Sequence, residues 1–223
     1  RQKYADRAIP EENPVRQRCT NLVRYEMMDQ LGYFLTESSE HFAEYCPWFI
    51  KDGRDDLIER YGIPLDEYPT RCEEQIAEWN DHFARLRAGE QMDIVASNEY
   101  AAVLMNAEMT DSQATIYGNV RNDGVISNLP SDCIVEVPCM VDSNGIQPTS
   151  IGALPPQLAA MMRTNINVQE LVVAALVEEN REHIFHAAMF DPHTAAELDV
   201  TQIRSMTNDL LTAHRDWLPA WTQ

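Results

Sequence analysis

The 223-residue sequence lacks several features that would assign it to a common class of protein. It has no apolar run of 18 residues, so no transmembrane helix is predicted, and no signal peptide is recognised ahead of its first element. The G-x-G-x-x-G, Walker and G-x-S-x-G motifs are also missing, so neither a nucleotide-binding half nor a nucleophile elbow is expected. The chain begins with Arg1 rather than Met, which suggests a piece of a longer polypeptide.

Positive charge is scarce. Only 17 Lys and Arg residues stand against 36 Asp and Glu residues, and the formal net charge is −19. Binding to nucleic acids and to anionic membranes depends on Lys and Arg contacts with phosphate groups. Neither kind of partner is therefore expected, and the acidic composition is typical of a soluble protein.

Paired cysteines are lacking as well. The five cysteines are odd in number and include no C-x-x-C pair. Cys133 and Cys139 are six residues apart, so in one strand they share a face. This pattern predicts buried free thiols in a reducing, cytoplasmic compartment rather than a disulfide framework.

Helical and strand patterns follow one another in a simple order. Apolar spacing and turn residues predict two strands, at 113–120 and 132–141, with helices before and after them. The predicted helices cover 14–31, 54–61, 69–88, 97–109, 156–181, 182–190 and 201–214. The order predicts an α+β fold with a small, mostly antiparallel sheet. Residues 1–12 are interpreted as a connecting arm and residues 13–223 as one domain.

Two predicted helices have unusual apolar faces. In the helix 69–88, apolar residues alternate at spacings of four and three, which predicts a seam that packs on another helix, in the core or in an oligomer. These residues are Cys72, Ile76, Trp79, Phe83 and Leu86. The helix 156–181 is apolar almost all round, which predicts burial. Together these helices keep open a non-catalytic oligomerisation module as an alternative function.

The segment Thr36–Phe49 combines carboxylates, hydroxyls, an imidazole and aromatic rings. Such a mixture suits a sugar site, where polar groups bind hydroxyls, a titratable group moves a proton and rings cover apolar sugar faces. The alternative is a polar surface loop that caps the next helix and is anchored by Trp48 and Phe49. The candidate catalytic residues are His41, Tyr45 and Glu40, and the candidate substrate-binding residues are Glu37, Ser38, Ser39 and Glu44.

Two further clusters carry weaker signals. Asn122, within Tyr117–Pro130, is a candidate substrate-binding amide, although Asn and Gly there are also typical of turns. His183, His186, Asp191 and His193 could suggest a metal site. No third ligand has a convincing spacing, so partly buried core histidines are favoured. No metal ligand is assigned to this chain.

The motifs, taken in order, resemble glycoside hydrolase family 4, and within it the bacterial α-galactosidases. The likeness runs from Arg16 onward. It includes Thr36–Phe49, Tyr117–Pro130, Val135–Pro138, Asn144–Pro148, Asn165–Gln169, Asp191–Ala196 and Asp216–Pro219. The resemblance implies hydrolysis of terminal α-galactosides by a homo-oligomeric enzyme. It covers only the C-terminal half of such enzymes, which is similar to the C-terminal domain of lactate and malate dehydrogenases. A 2-hydroxy-acid dehydrogenase-like domain is therefore a further alternative.

The resemblance also implies a chemistry and two cofactors. In the family, an N-terminal Rossmann domain holds NAD, and a Cys and a His ahead of this region hold Mn²⁺. Neither motif occurs here, so no cofactor-binding residue is assigned. NAD oxidises sugar C3, a base removes the C2 proton, the C1–oxygen bond breaks by elimination, and water addition and re-reduction complete the hydrolysis. Some relatives place a Tyr or Asp base in the region matching 36–45. Because this chain offers no certain match, Glu37, Glu40, His41 and Tyr45 all remain candidates, and His41 is favoured because histidine ordinarily titrates near neutral pH.

Overall fold

The computed structural model describes residues 21–91, 93 and 99–223. Across these residues lie nine α-helices, three strands in one sheet, and two short 3₁₀ turns near the C-terminus. The helices are α1 Leu22–Leu31, α2 Ser39–Glu44, α3 Asp55–Tyr61, α4 Glu67–Arg87, α5 Ala101–Thr110, α6 Pro156–Glu178, α7 Arg181–Phe190, α8 Pro192–Glu197 and α9 Val200–Ala213. The strands are β1 Ala114–Arg121, β2 Ile134–Asp142 and β3 Gly145–Pro148. This is the α+β order that the sequence predicts.

The described residues fall into two compact units. The first takes the residues up to Val95 together with Pro192–Asp199, and the second takes Ala96–Asp191 together with Val200–Gln223. The division into an arm at 1–12 and one domain at 13–223 stays a prediction. The predicted arm at 1–12, the predicted helix start near residue 14 and part of the predicted helix 97–109 lie outside the described residues.

The first unit is built from α1 to α4 and α8. Helix α1 ends at Gly32, whose φ of +79° is the left-handed conformation that glycine adopts without strain, and α3 ends in the same way at Gly62. Both ends agree with the sequence prediction. Side chains from α1, α2, α3 and the segments between them form its buried core, namely Val23, Met27, Phe42, Ala43, Cys46, Phe49, Tyr61 and Ile63.

The second unit is organised around the antiparallel sheet β1–β2–β3. Strands β2 and β3 join through the two-residue turn Ser143–Asn144, which the Asn-Gly signal predicts. Alternate residues of β2 are buried and alternate residues of β1 are buried or half-buried, because successive strand side chains point to opposite faces. The core beneath the sheet contains Ala107, Ile116, Ile126, Leu129, Cys133, Val135, Val137, Cys139, Val141, Ala159 and Ile166. Cys133 and Cys139 share this buried face as predicted, and neither forms a disulfide.

Helix α6 differs from its prediction. It ends at Glu178, and Glu179 takes a left-handed φ of +51° before α7 begins. Of its 23 residues only Ala159, Ile166 and Ala175 are buried, whereas Val173 and Val177 are exposed. The prediction of burial all round is wrong for this chain, because α7 packs against α6 while much of its apolar surface faces no other described element.

Candidate active site

The segment Thr36–Phe49 is held at its start by Arg24 of α1. The Arg24 Nε–H donates a hydrogen bond of 2.9 Å to the carbonyl oxygen of Leu35. The guanidinium lies 4.4 Å from the centroid of the Phe34 ring, a cation–π distance. Helix α1 thus fixes the chain immediately before the cluster of polar residues.

Helix α2 begins at this cluster because Ser38 is its N-cap. The Ser38 hydroxyl oxygen accepts a hydrogen bond of 3.2 Å from the backbone N–H of His41. The backbone N–H of Ser38 donates in turn to the Glu37 carboxylate at 2.7 Å. Ser38 therefore serves the helix end, which is the role that the alternative interpretation of the segment expects.

An aromatic cluster anchors the far end of the segment. Phe49 is buried and packs edge-to-face on Tyr61, with ring centroids 4.9 Å apart, and Phe42 lies 6.4 Å from it. Trp48 was expected to share this anchoring, but its side chain is 47% exposed. Trp48 and the exposed Tyr45 thus present aromatic surface next to the polar residues.

The His41 imidazole lies between two carboxylates. Its Nδ1 is 3.3 Å from Oε1 of Glu37, and its Nε2 is 3.6 Å from Oε1 of Glu40. The Tyr45 ring is roughly parallel to the imidazole, with centroids 6.3 Å apart. The sequence suggests Glu44 as the group that orients His41, but the carboxylates that contact the ring in the described part of the chain are those of Glu37 and Glu40.

Arg71 of α4 completes the cluster, and the sequence interpretation missed it. One of its terminal nitrogens donates to Glu40 at 2.9 Å and to Glu67 at 2.6 Å. These carboxylates hold the pKa of Arg71 above its usual value, Glu67 contributing most. The spacing of four between Glu67 and Arg71 indicates their helical ion pair. The contact with Glu40 joins residues 31 positions apart and has no local signal.

Burial divides the candidate residues into three groups, which are buried, half-buried and exposed. Ser39 and Glu40 are buried, at 8% and 6% exposure, and the Ser39 hydroxyl has no hydrogen-bond partner among the described residues. His41 and Ser38 are half-buried, whereas Glu37, Glu44 and Tyr45 are exposed. A ligand can reach the half-buried and exposed groups, and the buried Glu40 lies beside the accessible His41. This arrangement can accept or donate a proton at an oriented imidazole beside an aromatic surface.

Asn122 follows β1 in the second unit and is fully buried. Its amide nitrogen lies 2.8–3.2 Å from the carbonyl oxygens of Ile126, Leu129 and Pro130, and its Oδ1 accepts from the Ile126 N–H at 2.7 Å. Every polar atom of the side chain is thus bound to backbone. Asn122 therefore does not offer its amide to a substrate, as the sequence suggests. Its side chain instead holds the connection between β1 and β2 in place.

Replacing Asn122 by alanine is expected to destabilise the protein by at least about 1–3 kcal/mol, the cost of leaving one buried polar group unsatisfied. The variant leaves several backbone groups without this partner at once, so the upper part of that range is expected. Urea unfolding followed by circular dichroism measures the change. Asn119→Ala, at an exposed position of β1, is the matched control, and a loss at Asn122 no larger than at Asn119 would contradict this role.

The histidines of the second unit form a pair with ordinary partners. His183 Nε2 lies 3.2 Å from the Glu178 carboxylate, and the Nδ1 atoms of His183 and His186 are 3.4 Å apart. Both side chains are half-buried. The prediction of partly buried histidines is confirmed. Among the residues that the structure describes, no group of three or more His, Cys, Asp or Glu side chains could hold a metal ion.

Cys46 is a buried residue of the segment Thr36–Phe49, and its thiol is expected to be unreactive. Burial raises the pKa of the Cys46 thiol to about 11, with a smaller opposing effect from a hydrogen bond that the Trp48 backbone donates to the sulfur. At pH 8 only about 0.1% of the thiol is ionised, and the thiolate is the reactive form. We expect Cys46 to stay unmodified by iodoacetamide at pH 8 in the folded protein and to react in denaturant.

The same pKa predicts how stability depends on pH. An unfolded cysteine loses its proton near pH 8.5, so between about pH 8.5 and 11 the unfolded state binds fewer protons than the folded state. Stability therefore falls as pH rises through this window. Peptide mass spectrometry of the labelled protein tests the thiol directly, and rapid labelling of Cys46 under native conditions would contradict its burial.

No helix in the described parts of the chain has the length and apolar character that crossing a membrane requires.

Solved structures share this fold. The crystal structure of the Bacillus subtilis protein lplD superposes with a TM-score of 0.77 at 21% identity, covering 91% of this chain and 46% of that one. A 6-phospho-α-glucosidase from gut microorganisms, crystallised with NAD and Mn²⁺, gives a TM-score of 0.67 at 18% identity, covering 94% of this chain and 45% of that one. The fold is thus the α+β fold of the C-terminal portion of such proteins.

Sequence comparison identifies the family. Residues 2–194 match the family described as the family 4 glycosyl hydrolase C-terminal domain. An α-galactosidase from Bacillus subtilis is 47% identical over 201 residues, and an α-galactosidase from Rhizobium meliloti is 30% identical over 210 residues. The chain belongs to family 4 of the glycosyl hydrolases. The matches cover 90% and 89% of this chain but only 46% and 42% of the two relatives, so the chain spans less than half their length.

Proposed function

We propose that this chain supplies the sugar-binding part of an enzyme that hydrolyses terminal α-galactosides. The observation that carries the proposal is the 47% identity with the Bacillus subtilis α-galactosidase, which extends over 90% of the chain. The oriented imidazole and the neighbouring aromatic surface support it, because a sugar site needs a proton-transfer group and flat rings. A cytoplasmic location is part of the proposal and rests on the free thiols and the acidic composition.

Each residue of the cluster has a role in this proposal. His41 exchanges a proton with the substrate through Nε2, and Glu37 orients the ring through its contact with Nδ1. The Glu40 carboxylate lies 3.6 Å from Nε2, beyond hydrogen-bond distance, and acts on the ring through its charge. Arg71 keeps the Glu40 carboxylate fixed. Tyr45 and Trp48 cover an apolar sugar face, and Glu37, Ser38 and Glu44 are within the exposed or half-buried surface from which a hydroxyl can be bound. This geometry favours His41 among the candidate bases, because its side chain is accessible and Glu37 orients it through Nδ1.

NAD and Mn²⁺ are proposed cofactors of the complete enzyme. The 6-phospho-α-glucosidase from gut microorganisms was crystallised with NAD and Mn²⁺, and a 6-phospho-β-glucosidase from Thermotoga maritima with manganese and NAD⁺. The described residues do not fit either group: they include no three-ligand metal cluster, and the sequence has no dinucleotide fingerprint. We therefore derive no catalytic step through a cofactor in this chain, and we assign the cofactor sites to a part of the enzyme beyond the described residues.

The test compares the whole natural polypeptide that contains this sequence with the 223-residue chain, using an aryl α-galactoside as substrate. We expect turnover only for the whole polypeptide, and only when NAD and Mn²⁺ are added after gel filtration with a chelator. Robust turnover by the 223-residue chain alone would contradict the proposal that another part of the enzyme supplies the cofactor sites. Net NADH formation with a 2-hydroxy acid, without hydrolysis, would favour the dehydrogenase-like alternative instead.

A further inference from the structure

The second unit contains a surface cleft where the start of α7 and the end of α9 meet the last residues of the sequence. Its volume is about 320 Å³. The described residues that line it are Arg181, Leu211, Thr212, Arg215, Thr222 and Gln223. Two of them are arginines and none is Asp or Glu, although acidic residues outnumber basic ones by 36 to 17 in the whole sequence. This cleft is called the α7–α9 cleft below.

Arg181 is a fixed cation at the wall of this cleft. Its Nε–H donates to the carbonyl oxygen of Thr222 at 2.8 Å, and its Nη2 donates to Oδ1 of Asn208 at 3.0 Å. The remaining nitrogen, Nη1, has no hydrogen-bond partner among the described residues. The neighbouring Glu182 carboxylate is paired with Arg204 at 3.0 Å. Neutral partners thus orient the Arg181 guanidinium and leave part of its donor capacity unused.

Arg215 is the second cation of the cleft. Its Nε–H donates to the amide oxygen of Gln223 at 3.3 Å, and the residue is exposed. In the part of the chain that the structure describes, no carboxylate forms an ion pair with it, whereas Arg71 and Arg85 each bind two carboxylates. Both terminal nitrogens of Arg215 are therefore available to a ligand that enters the cleft.

The donor set favours a phosphate group over a carboxylate. A carboxylate offers two oxygens, which the fork of a single guanidinium already matches. A phosphate monoester offers three acceptor oxygens and a charge of about −1.5 to −2 at pH 7, so it can accept hydrogen bonds from two arginines at once. The volume of the cleft lies near the lower end of the range of roughly 300–1,000 Å³ for ligand pockets, which suits a small molecule.

We propose that the α7–α9 cleft binds the phosphate group of a small phosphate monoester. Arg181 and Arg215 donate hydrogen bonds to the phosphate oxygens, and Leu211 packs against the organic part of the molecule. Such a ligand contacts α7, the end of α9 and the residues that follow α9. Because it binds only when these parts are assembled, it stabilises the folded state.

The first test is isothermal titration calorimetry with phenyl phosphate and the whole natural polypeptide, from which a chelator has removed metal ions that would also bind phosphate. We expect saturable binding that Arg215→Gln weakens by about tenfold or more, as for the loss of a charged hydrogen-bond donor. Arg215 is exposed, so the variant should melt at the wild-type temperature without ligand. Arg215→Lys keeps the charge and should recover part of the affinity.

Arg121→Gln is the matched control, because Arg121 is an exposed arginine of β1 that does not line the cleft. It should bind phenyl phosphate as tightly as the wild type. The proposal is overturned by an equal loss of affinity in Arg121→Gln and Arg215→Gln, or by the absence of saturable binding to the wild type below roughly 10 mM.

Benzoate tests the chemical class of the ligand. It presents the same ring as phenyl phosphate but carries a carboxylate with a single negative charge. We expect it to bind at least about tenfold more weakly, because it lacks the third oxygen and the second charge. Equal affinities for benzoate and phenyl phosphate would overturn the assignment to phosphate monoesters. These measurements involve no turnover of a glycoside, so their outcome is independent of the proposed enzymatic function.

Discussion

Replacing His41 by asparagine is expected to lower kcat for α-galactoside hydrolysis by about 10²–10⁴-fold, the usual contribution of a general acid or base. Asparagine keeps a polar side chain of similar reach but cannot exchange a proton. His41 is half-buried on α2, so the backbone and the Ser38 cap remain in place. The measurement is steady-state kinetics with an aryl α-galactoside and the whole natural polypeptide, supplied with NAD and Mn²⁺.

The effects of the substitution on kcat and on KM distinguish two possible roles of His41. A proton-transfer group acts in the transition state, so its loss lowers kcat and kcat/KM together. A group that only hydrogen-bonds a sugar hydroxyl binds substrate and transition state alike, so its loss raises KM and leaves kcat unchanged. The second result would contradict the assignment of His41 as the base. Glu59→Gln, at an exposed position of α3, serves as the control and should leave both constants unchanged.

The Glu40–Arg71 pair can be tested by the same kinetic measurement, with two substitutions of Arg71 that are expected to have effects of different size. Glu40 is almost fully buried, and Arg71 donates a hydrogen bond of 2.9 Å to its carboxylate. Arg71→Met leaves this carboxylate without that partner, so kcat should fall while KM changes little. Arg71→Lys retains the charge and should recover part of the loss, although lysine cannot reproduce the planar geometry of a guanidinium. A purely structural role would give equal effects in both variants.

The fold was predictable where local chemistry decides it. Gly32 and Gly62 end α1 and α3 because a left-handed residue after a helix needs no distant contact. The alternation of buried and exposed residues along β2 and the turn at Asn144-Gly145 also depend only on neighbouring residues in the sequence. Exposure was not predictable in this way. The apolar residues of α4 and α6 predict burial, but periodicity describes what a helix face can bury and not which chain covers it.

The candidate site is likewise predictable in its location along the sequence and not in its three-dimensional contacts. Composition alone marks the segment Thr36–Phe49, since carboxylates, imidazole and rings rarely occur together by chance. Composition does not distinguish the exposed Glu37 from the buried Glu40, and it gives no sign that Arg71 reaches back to this segment. Asn122 was selected as a ligand-binding amide, yet the structure uses every polar atom of its side chain for the backbone. Polar side chains that cap or brace a loop have the same sequence signature as those that bind a ligand.

Phe185 of α7 is the position where a single substitution is expected to cost most stability. Its ring is 1% exposed and contacts two guanidinium groups, with Arg204 at 4.3 Å and Arg181 at 5.2 Å from its centroid. Arg181 in turn donates to the carbonyl oxygen of Thr222 at 2.8 Å and to Asn208 at 3.0 Å. The ring therefore fills the core between α7 and α9 and also steadies the arginine that ties the C-terminal residues to them.

Phe185→Ala should lower the free energy of unfolding by about 3–5 kcal/mol, because it removes a buried ring and leaves a cavity. Phe190→Ala is a matched control on the same helix. That ring is 61% exposed, so its loss should change stability by no more than about 0.5 kcal/mol. Urea unfolding followed by far-ultraviolet circular dichroism compares the two. Equal losses would mean that Phe190 is covered in solution, and a small loss at Phe185 would contradict its place in the core. The contrast between two phenylalanines five residues apart thus tests burial itself, separately from helix propensity and residue type.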